Sequence, residues 1–277
     1  MAFIFGVLAR RWWVIGRSVA DRLRSGAYRC LPWPHKRARS RGNTSTQPFR
    51  SFFMNTTADK DLIGLLGAGK LGTAIGRLAA EAGFPLAVSV RAGNPLYDLT
   101  LPTLLPTARL VPFEELARTA NILILALPQP ALASIDLSGV RGVVVDATNA
   151  WEATDGAAAN GTSNTSAAPA RHTTAALQAR YPELAIVKSL NHAGYTELSA
   201  EARPHGAPAR RTVGVAGDDA AARSRVAAFI DAIGFDPVEL SAEHAPLLEP
   251  GGVAFGQRLE LADWPVDIVA VPRERRG

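Results

Sequence analysis

From Asp61 onward the chain alternates short apolar runs with stretches of helical period. Leu62 to Leu66 is expected to form a buried strand, and Lys70 to Glu81 a helix whose apolar face is Leu71, Ile75, Leu78, Ala79 and Ala82. Gly83 suits the left-handed position just past that helix. Leu86 to Val90 is the second strand. After a proline-rich connection, PFEELARTA (112–120) can form a helical turn or two and lead into NILILAL (121–127), a continuous apolar run expected of a central parallel strand. Gly142 to Ala147 and Ala185 to Ser189 repeat the pattern. Residues 211–240 then hold a strand, a helix capped by Asp218 or Asp219 and stopped at Gly234, and a last short strand. Apolar strands alternating with amphipathic helices specify an α/β fold, doubly wound and mostly parallel, over residues 58–240, with a short C-terminal extension at 241–277.

Residues 1–57 show neither period. The formal net charge is +5, but residues 1–60 carry twelve Lys and Arg against two acids, while residues 61–277 carry eighteen against twenty-three. The positive excess therefore belongs to the first segment, which is expected to be a disordered basic leader, or upstream sequence ahead of a true start at Met54. Once this segment is set aside, the composition gives no reason to expect nucleic acid as a partner. No run approaches the roughly 20 apolar residues of a membrane helix, so no membrane partner is expected. Cys30 is the only cysteine, which excludes an internal disulfide and any cysteine-based zinc cluster. A cytoplasmic location is the expectation, with organelle targeting by the leader as the alternative. Residues 151–170, small and polar, are expected to be a mobile surface loop, either a tolerated insertion or a lid.

The chemistry begins in GLLGAGKLGTAIG (64–76). Gly67, Gly69 and Gly72 fit G-x-G-x-x-G, and they follow a strand and open a helix, where that spacing has physical meaning. Gly67 allows the tight turn, Gly69 lets backbone amides approach a pyrophosphate, and Gly72 lets the helix pack closely on the sheet. The helix N-terminus offers free N–H groups and a positive dipole end to the phosphates. A Rossmann-type dinucleotide site follows. At the end of the second strand an NAD site places an acid, whereas this chain has VSVRAGNP (88–95), with Ser89, Arg91 and no acid before Asp98. A guanidinium pairs bidentately with a 2′-phosphate, so NADP(H) is favoured.

Taken together, these stretches with VVVDATNAW (143–151), VKSLNHAGYTEL (187–198) and residues 210–240 resemble the NADPH-dependent deazaflavin (coenzyme F-420) reductase-like family of NADP-binding oxidoreductases. The resemblance runs from Asp61 to about Leu259. It implies a single Rossmann domain in which the turn Gly67, Ala68, Gly69, Lys70, Leu71 holds the pyrophosphate, with Gly72 behind it, and Ser89 and Arg91 hold the 2′-phosphate. It also implies that Ala126, Leu127 and Pro128, with Thr148 and Asn149, line the nicotinamide, and that hydride passes between the nicotinamide and a deazaflavin or similar small acceptor. Family members are often dimers, so a homodimer is implied. The chain departs from the family in SVRAGN, where a Thr-x-Ser-Arg-like turn is common, and in SLNHAGY, where Phe-Asn-Thr is common; Asn191 is matched and His192 is open.

Asn191 and His192 are the catalytic candidates. His192 follows a strand end and could donate a proton or orient a carbonyl; a hydrogen-bonded loop histidine without chemistry is the alternative. His172, His205 and His244 lack metal-ligand spacing, so no metal is expected. Lys188 and Asn191 suggest a β-hydroxyacid dehydrogenase, but a three-residue spacing at a strand end sends their side chains in different directions. An imine or pyrroline-carboxylate reductase shares the Rossmann half but normally adds a long helical domain, for which residues 241–277 are too few. A non-catalytic NADP(H) sensor is the remaining class.

Overall fold

A computed structural model describes residues 60–91, 95–150 and 172–264. The expectations for the leader and for the loop at 151–170 lie outside these residues. In chain order the described elements are β1 (Ile63–Leu66), α1 (Lys70–Glu81), β2 (Leu86–Ser89), α2 (Pro95–Leu104), β3 (Ala108–Leu110), α3 (Phe113–Thr119), β4 (Ile122–Leu125), α4 (Gln129–Ala133) and β5 (Val143–Asp146). There follow α5 (Thr173–Arg180), β6 (Ile186–Ser189), α6 (Tyr195–Glu201), β7 (Thr212–Ala216), α7 (Ala220–Ala232), β8 (Asp236–Leu240) and a 3-10 helix, Ala242–Leu248.

The strands form one sheet in the order β3-β2-β1-β4-β5-β6-β7-β8. Every neighbouring pair is parallel except β6 and β7, which pair antiparallel through Lys188 with Ala216 and Ser189 with Val215. Chain order reverses between β1 and β4, which opens a crevice beyond their carboxyl ends, the place where ligands of open α/β sheets bind. The fold is thus the doubly wound, mostly parallel α/β class that the hydrophobic pattern predicts.

The unbroken apolar runs are explained by a sheet covered on both faces. Successive strand residues point to opposite sides, so Ile63, Leu65, Ile122, Ile124 and Val145 join one buried cluster with Ile75 of α1 and Phe229 of α7. Leu66, Leu123, Leu125 and Val144 join the other, with Leu116, Leu132 and Leu177 from α3, α4 and α5. The helix ends follow the local chemistry. Asp219 is the cap of α7, its carboxylate accepting the Ala222 amide at 2.8 Å. Gly83 (φ +78°) and Gly234 (φ +107°) take the left-handed positions beyond α1 and α7.

The C-terminal extension is packed onto the sheet. Leu248, Ala254 and Trp264 form a small core with Val238 and Leu240, and the Trp264 indole N–H donates to Thr212 Oγ1 at 2.7 Å. No helix among the described residues is long and apolar enough to cross a membrane.

Candidate functional site

The glycine-rich turn leaves β1 and enters α1 at the chain-order reversal. Gly67 has φ +105°, a conformation that L side chains rarely adopt, and its amide donates to Ser89 O at 2.9 Å, which ties the turn to the end of β2. A Cβ on Gly67 would lie 2.5 Å from Ala126 O, and one on Gly72 would lie 2.2 Å from Gly67 O. Both glycines are thus required by close backbone packing. Gly69 differs, because a Cβ there would meet nothing within 4 Å. Its side of the turn faces open space, and no side chain caps the helix at this residue. Among the described residues the amides of Ala68, Gly69, Lys70 and Leu71 find no partner. Free amides at a helix start are the feature from which the spacing predicts an anion cradle.

Beside the turn lies a cavity of about 910 Å³ lined by Gly67, Ser89, Arg91, Leu127 and Pro128, so the structure brings together five of the residues picked out in the sequence. Ser89 is buried at the end of β2 and Arg91 is exposed just beyond it. Phe113, Ala117 and Arg118 of α3 also line the cavity. Sequence reasoning missed them; the i, i+4 pair Phe113 and Ala117 was the available signal, since both sit on one face of the short helix. Ala126 is held at the carboxyl end of β4, its amide donating to Leu66 O at 2.9 Å. Lys70 Nζ lies over the Tyr195 ring, 5.4 Å from its centroid.

Thr148, Asn149 and Asn191 belong to a second group, at the ends of β5 and β6. Asp146 Oδ1 accepts both the Thr148 amide at 3.0 Å and its hydroxyl at 2.6 Å. Asn149 Nδ2 donates to Asn191 O at 3.0 Å, and Asn191 Nδ2 returns a bond to Asn149 Oδ1 at 2.9 Å while also donating to Leu248 O at 2.6 Å. Leu190 precedes this pair at φ +65°, buried and left-handed, a strained conformation for a leucine that turns the Asn191 side chain toward Asn149 and the extension. Asn191 Oδ1 is buried without a partner among the described residues.

Behind this pair sits an ionic cluster. Lys188 and Asp146 are fully buried, with Lys188 Nζ 3.1 Å from Asp146 Oδ2 and 3.6 Å from Glu249 Oε1. Lys188 also donates to Thr148 O at 2.7 Å and Thr173 Oγ1 at 2.6 Å. Burial acts to raise the Asp146 carboxyl, but Lys188 and the hydroxyls of Thr148, Thr173 and Thr174 outweigh it and hold the group below its usual range. With every Lys188 donor engaged in the interior, the lysine of the β-hydroxyacid dehydrogenase alternative is a structural cation here.

His192 also lies in the interior. The structure buries it and makes its Nε2 the acceptor of the Gly214 amide at 3.3 Å. Burial, with Arg211 and Lys188 nearby, pushes its pKa down to about 3. With Nε2 accepting, the one proton of the neutral imidazole sits on Nδ1, which is buried without a partner among the described residues, and near pH 7 the ring holds no second proton for transfer to a ligand.

No protein-family model matches the chain, and no curated protein matches it. Solved structures share its fold. A hypothetical protein from Sinorhizobium meliloti superposes with a TM-score of 0.57 at 23% identity, over 72% of this chain and 95% of that one. A protein provisionally named an F-420-dependent NADP reductase, from an Arthrobacter species, superposes with a TM-score of 0.51 at 24% identity, over 67% of this chain and 89% of that one. At these identities the likeness establishes the doubly wound fold.

Proposed function

We propose that this chain is an NADP(H)-dependent oxidoreductase that passes hydride between the nicotinamide and a small acceptor. The observation that carries the reading is the turn at Gly69: free amides at a helix start and room where a side chain would be, opening on a cavity with Ser89 and Arg91 at the end of β2. The residues present fit the dinucleotide. Backbone amides from Ala68 to Leu71 receive the diphosphate, and Lys70 adds positive charge beside it. The Ser89 hydroxyl and the Arg91 guanidinium receive the 2′-phosphate. Ala126, Leu127 and Pro128 line the path across β4 toward the nicotinamide, with Thr148 and Asn149 beyond them. When bound, the nicotinamide supplies or accepts the hydride.

The chain's own contribution is then placement. Hydride transfer requires donor and acceptor carbons about 3–3.5 Å apart, so rigid walls do most of the catalytic work. Asp146 holds Thr148, and the reciprocal bonds between Asn149 and Asn191 fix both amides, leaving Asn191 Oδ1 to accept a hydrogen bond from a bound group. A deazaflavin is our proposed acceptor. The resemblance supports it, as does the activity named for the Arthrobacter protein.

Cofactor choice is tested by titrating the wild type and Arg91→Ala with NADPH and NADH. The wild type is expected to prefer NADPH, and the variant to lose about 10- to 100-fold in NADPH affinity while its NADH affinity holds, the size of one lost charge-assisted pair. Equal binding of both nucleotides by the wild type would refute the NADP(H) assignment.

A further inference from the structure

Tyr195 is the aromatic member of the large hydrophobic residues left exposed among the described residues; it is 39% exposed, and the others, Leu99, Leu110, Val253 and Leu261, are aliphatic. Its place follows from the sheet. A dinucleotide laid along β2-β1-β4-β5 runs from the cavity at Ser89 and Arg91, over the head of α1, to Thr148 and Asn149, and β6 is the next strand beyond. β6 is parallel to β5, so the turn at 190–194 and Tyr195, the first residue of α6, stand at the same carboxyl edge. α6 packs on α1, with Leu198 and Ile75 in one buried cluster. The side chains agree with this placement, since Lys70 Nζ, at the first position of α1, lies 5.4 Å from the centroid of the Tyr195 ring. The ring therefore stands at the end of the crevice assigned to the nicotinamide.

The backbone beneath the ring is fixed. Glu197 Oε2 accepts the Gly194 amide at 3.2 Å and Arg211 Nη1 at 2.7 Å, and Arg211 is itself buried. On the other side of the turn Asn191, 4% exposed, is bonded to Asn149 and keeps its Oδ1 without a partner among the described residues. The fold makes little use of the tyrosine side chain. Its ring joins neither of the two large buried clusters, and while its carbonyl accepts Ser199 Oγ at 3.0 Å, its hydroxyl makes no hydrogen bond among the described residues. A single exposed apolar residue needs no explanation in itself. Here the ring is held on a rigid base, half in water, beside the turn that carries Asn191, and its free face suits a second flat ring, because aromatic faces stack offset on one another.

We infer that Tyr195 is the specificity-determining residue of the acceptor subsite: its ring stacks on a planar conjugated heterocycle, the chemical class to which a deazaflavin belongs, and so selects flat acceptors over small aliphatic imines. The inference rests on the oxidoreductase reading. Hydride transfer needs its two carbons about 3–3.5 Å apart, and a flat acceptor meets that demand by lying parallel to the nicotinamide. A tyrosine ring on its outer face closes the stack and fixes the separation. Stacking energy grows with the area of the two faces, so a small aliphatic imine gains little from the same ring. The contact with Lys70 offers a competing role, in which the tyrosine serves only to hold the lysine beside the diphosphate. The two roles differ in which ligand depends on the ring.

The test is a binding measurement on the full chain. Coenzyme F-420, followed by its own fluorescence, is titrated into each protein alone and with saturating NADP⁺; both molecules are oxidised, so no hydride moves. NADP⁺ is titrated separately. Tyr195→Ala is expected to weaken F-420 binding about 5- to 100-fold, the size of one heterocycle stacked on one aromatic side chain, with NADP⁺ affinity and Tm unchanged. Tyr195→Phe keeps the ring and is expected to bind F-420 as the wild type does. The inference is overturned by a wild type that takes no F-420 in either titration, by a Tyr195→Ala that binds it as tightly as the wild type, or by a Tyr195→Phe that loses as much as Tyr195→Ala. An NADP⁺ loss in Tyr195→Ala as large as its F-420 loss also overturns it, because the ring then serves Lys70. Failure of the oxidoreductase reading shows separately, as a wild type that does not bind NADP⁺, while the F-420 titration without nucleotide still judges Tyr195.

Discussion

Gly69→Ala is expected to leave the fold intact and weaken NADPH binding about 10- to 100-fold, whereas Gly72→Ala is expected to damage the fold itself. The two glycines belong to one motif but face opposite ways. Gly69 has φ −72° and ψ −167°, extended backbone that any residue adopts, and a Cβ there meets no atom of the protein. The added methyl group therefore stands where the diphosphate would approach, and displacing one phosphate–amide contact of about 1.5–3 kcal/mol accounts for the loss. A Cβ on Gly72 would sit 2.2 Å from Gly67 O, a backbone atom fixed by the bond from Gly67 N–H to Ser89 O. Neither α1 nor the turn can retreat without repacking Ile75 and Leu78 in the core. Overpacking of this kind costs about 3 kcal/mol, a fall of about 6–12 °C in Tm for a domain of this size. Thermal melts of the three proteins, with NADPH titrations on those that fold, separate the effects. Wild-type affinity in Gly69→Ala would mean that the turn does not seat a diphosphate, and an unchanged Tm in Gly72→Ala would remove the packing argument.

This difference between the glycines also shows what a sequence can reveal. The spacing of Gly67, Gly69 and Gly72 was legible because each serves a local need: a turn, an approach and a helix contact. The strands β1, β2, β4, β5 and β6 were legible because a sheet covered on both faces requires unbroken apolar runs. The helix α2 and strand β3 were not. Pro95, Pro102 and Pro106 suggest a connection, yet Pro95 occupies the first helical position, where its missing N–H costs nothing, and Leu101 and Leu105 bury themselves in the cluster that includes Ile75 of α1. The three residues of β3 are half-buried or exposed on an edge and carry no apolar run. The direction of β7 was equally hidden, since an apolar run has no polarity. After α6, which packs on α1, the chain re-enters the sheet at the end where β6 finished, with Arg211 paired to Glu197 at 2.7 Å, so β7 runs antiparallel to β6. The hydrogen bond between His172 and Glu249 joins residues 77 apart through tertiary packing alone, so no spacing announces it.

Lowering the pH from 7 to 4 is expected to destabilise the wild-type protein by about 3 kcal/mol more than it destabilises His192→Gln. His192 titrates near 6.5 in an unfolded chain and at about 3 in the folded one. Below pH 6.5 the unfolded chain takes up a proton that the folded protein refuses, because the charge would be buried beside Arg211 and Lys188 and the Gly214 amide would lose its acceptor. Stability therefore falls as pH falls, by about 1.4 kcal/mol per unit across the window from 6.5 down to about 3, and is unaffected by this group above 6.5. Glutamine can still accept the Gly214 amide but binds no proton, so its stability loses that slope. Asp146 works in a lower window: its folded pKa is depressed below 3.8, so the stability it lends is present above that value and lost only in stronger acid. It is common to both proteins, as are His172, His205 and His244, and their contributions cancel in the comparison. Urea unfolding at pH 7, 6, 5 and 4 gives the two slopes directly. Parallel slopes would mean that His192 takes up its proton in the folded state after all, and that the imidazole lies in a wetter place than its burial and its bond to β7 describe.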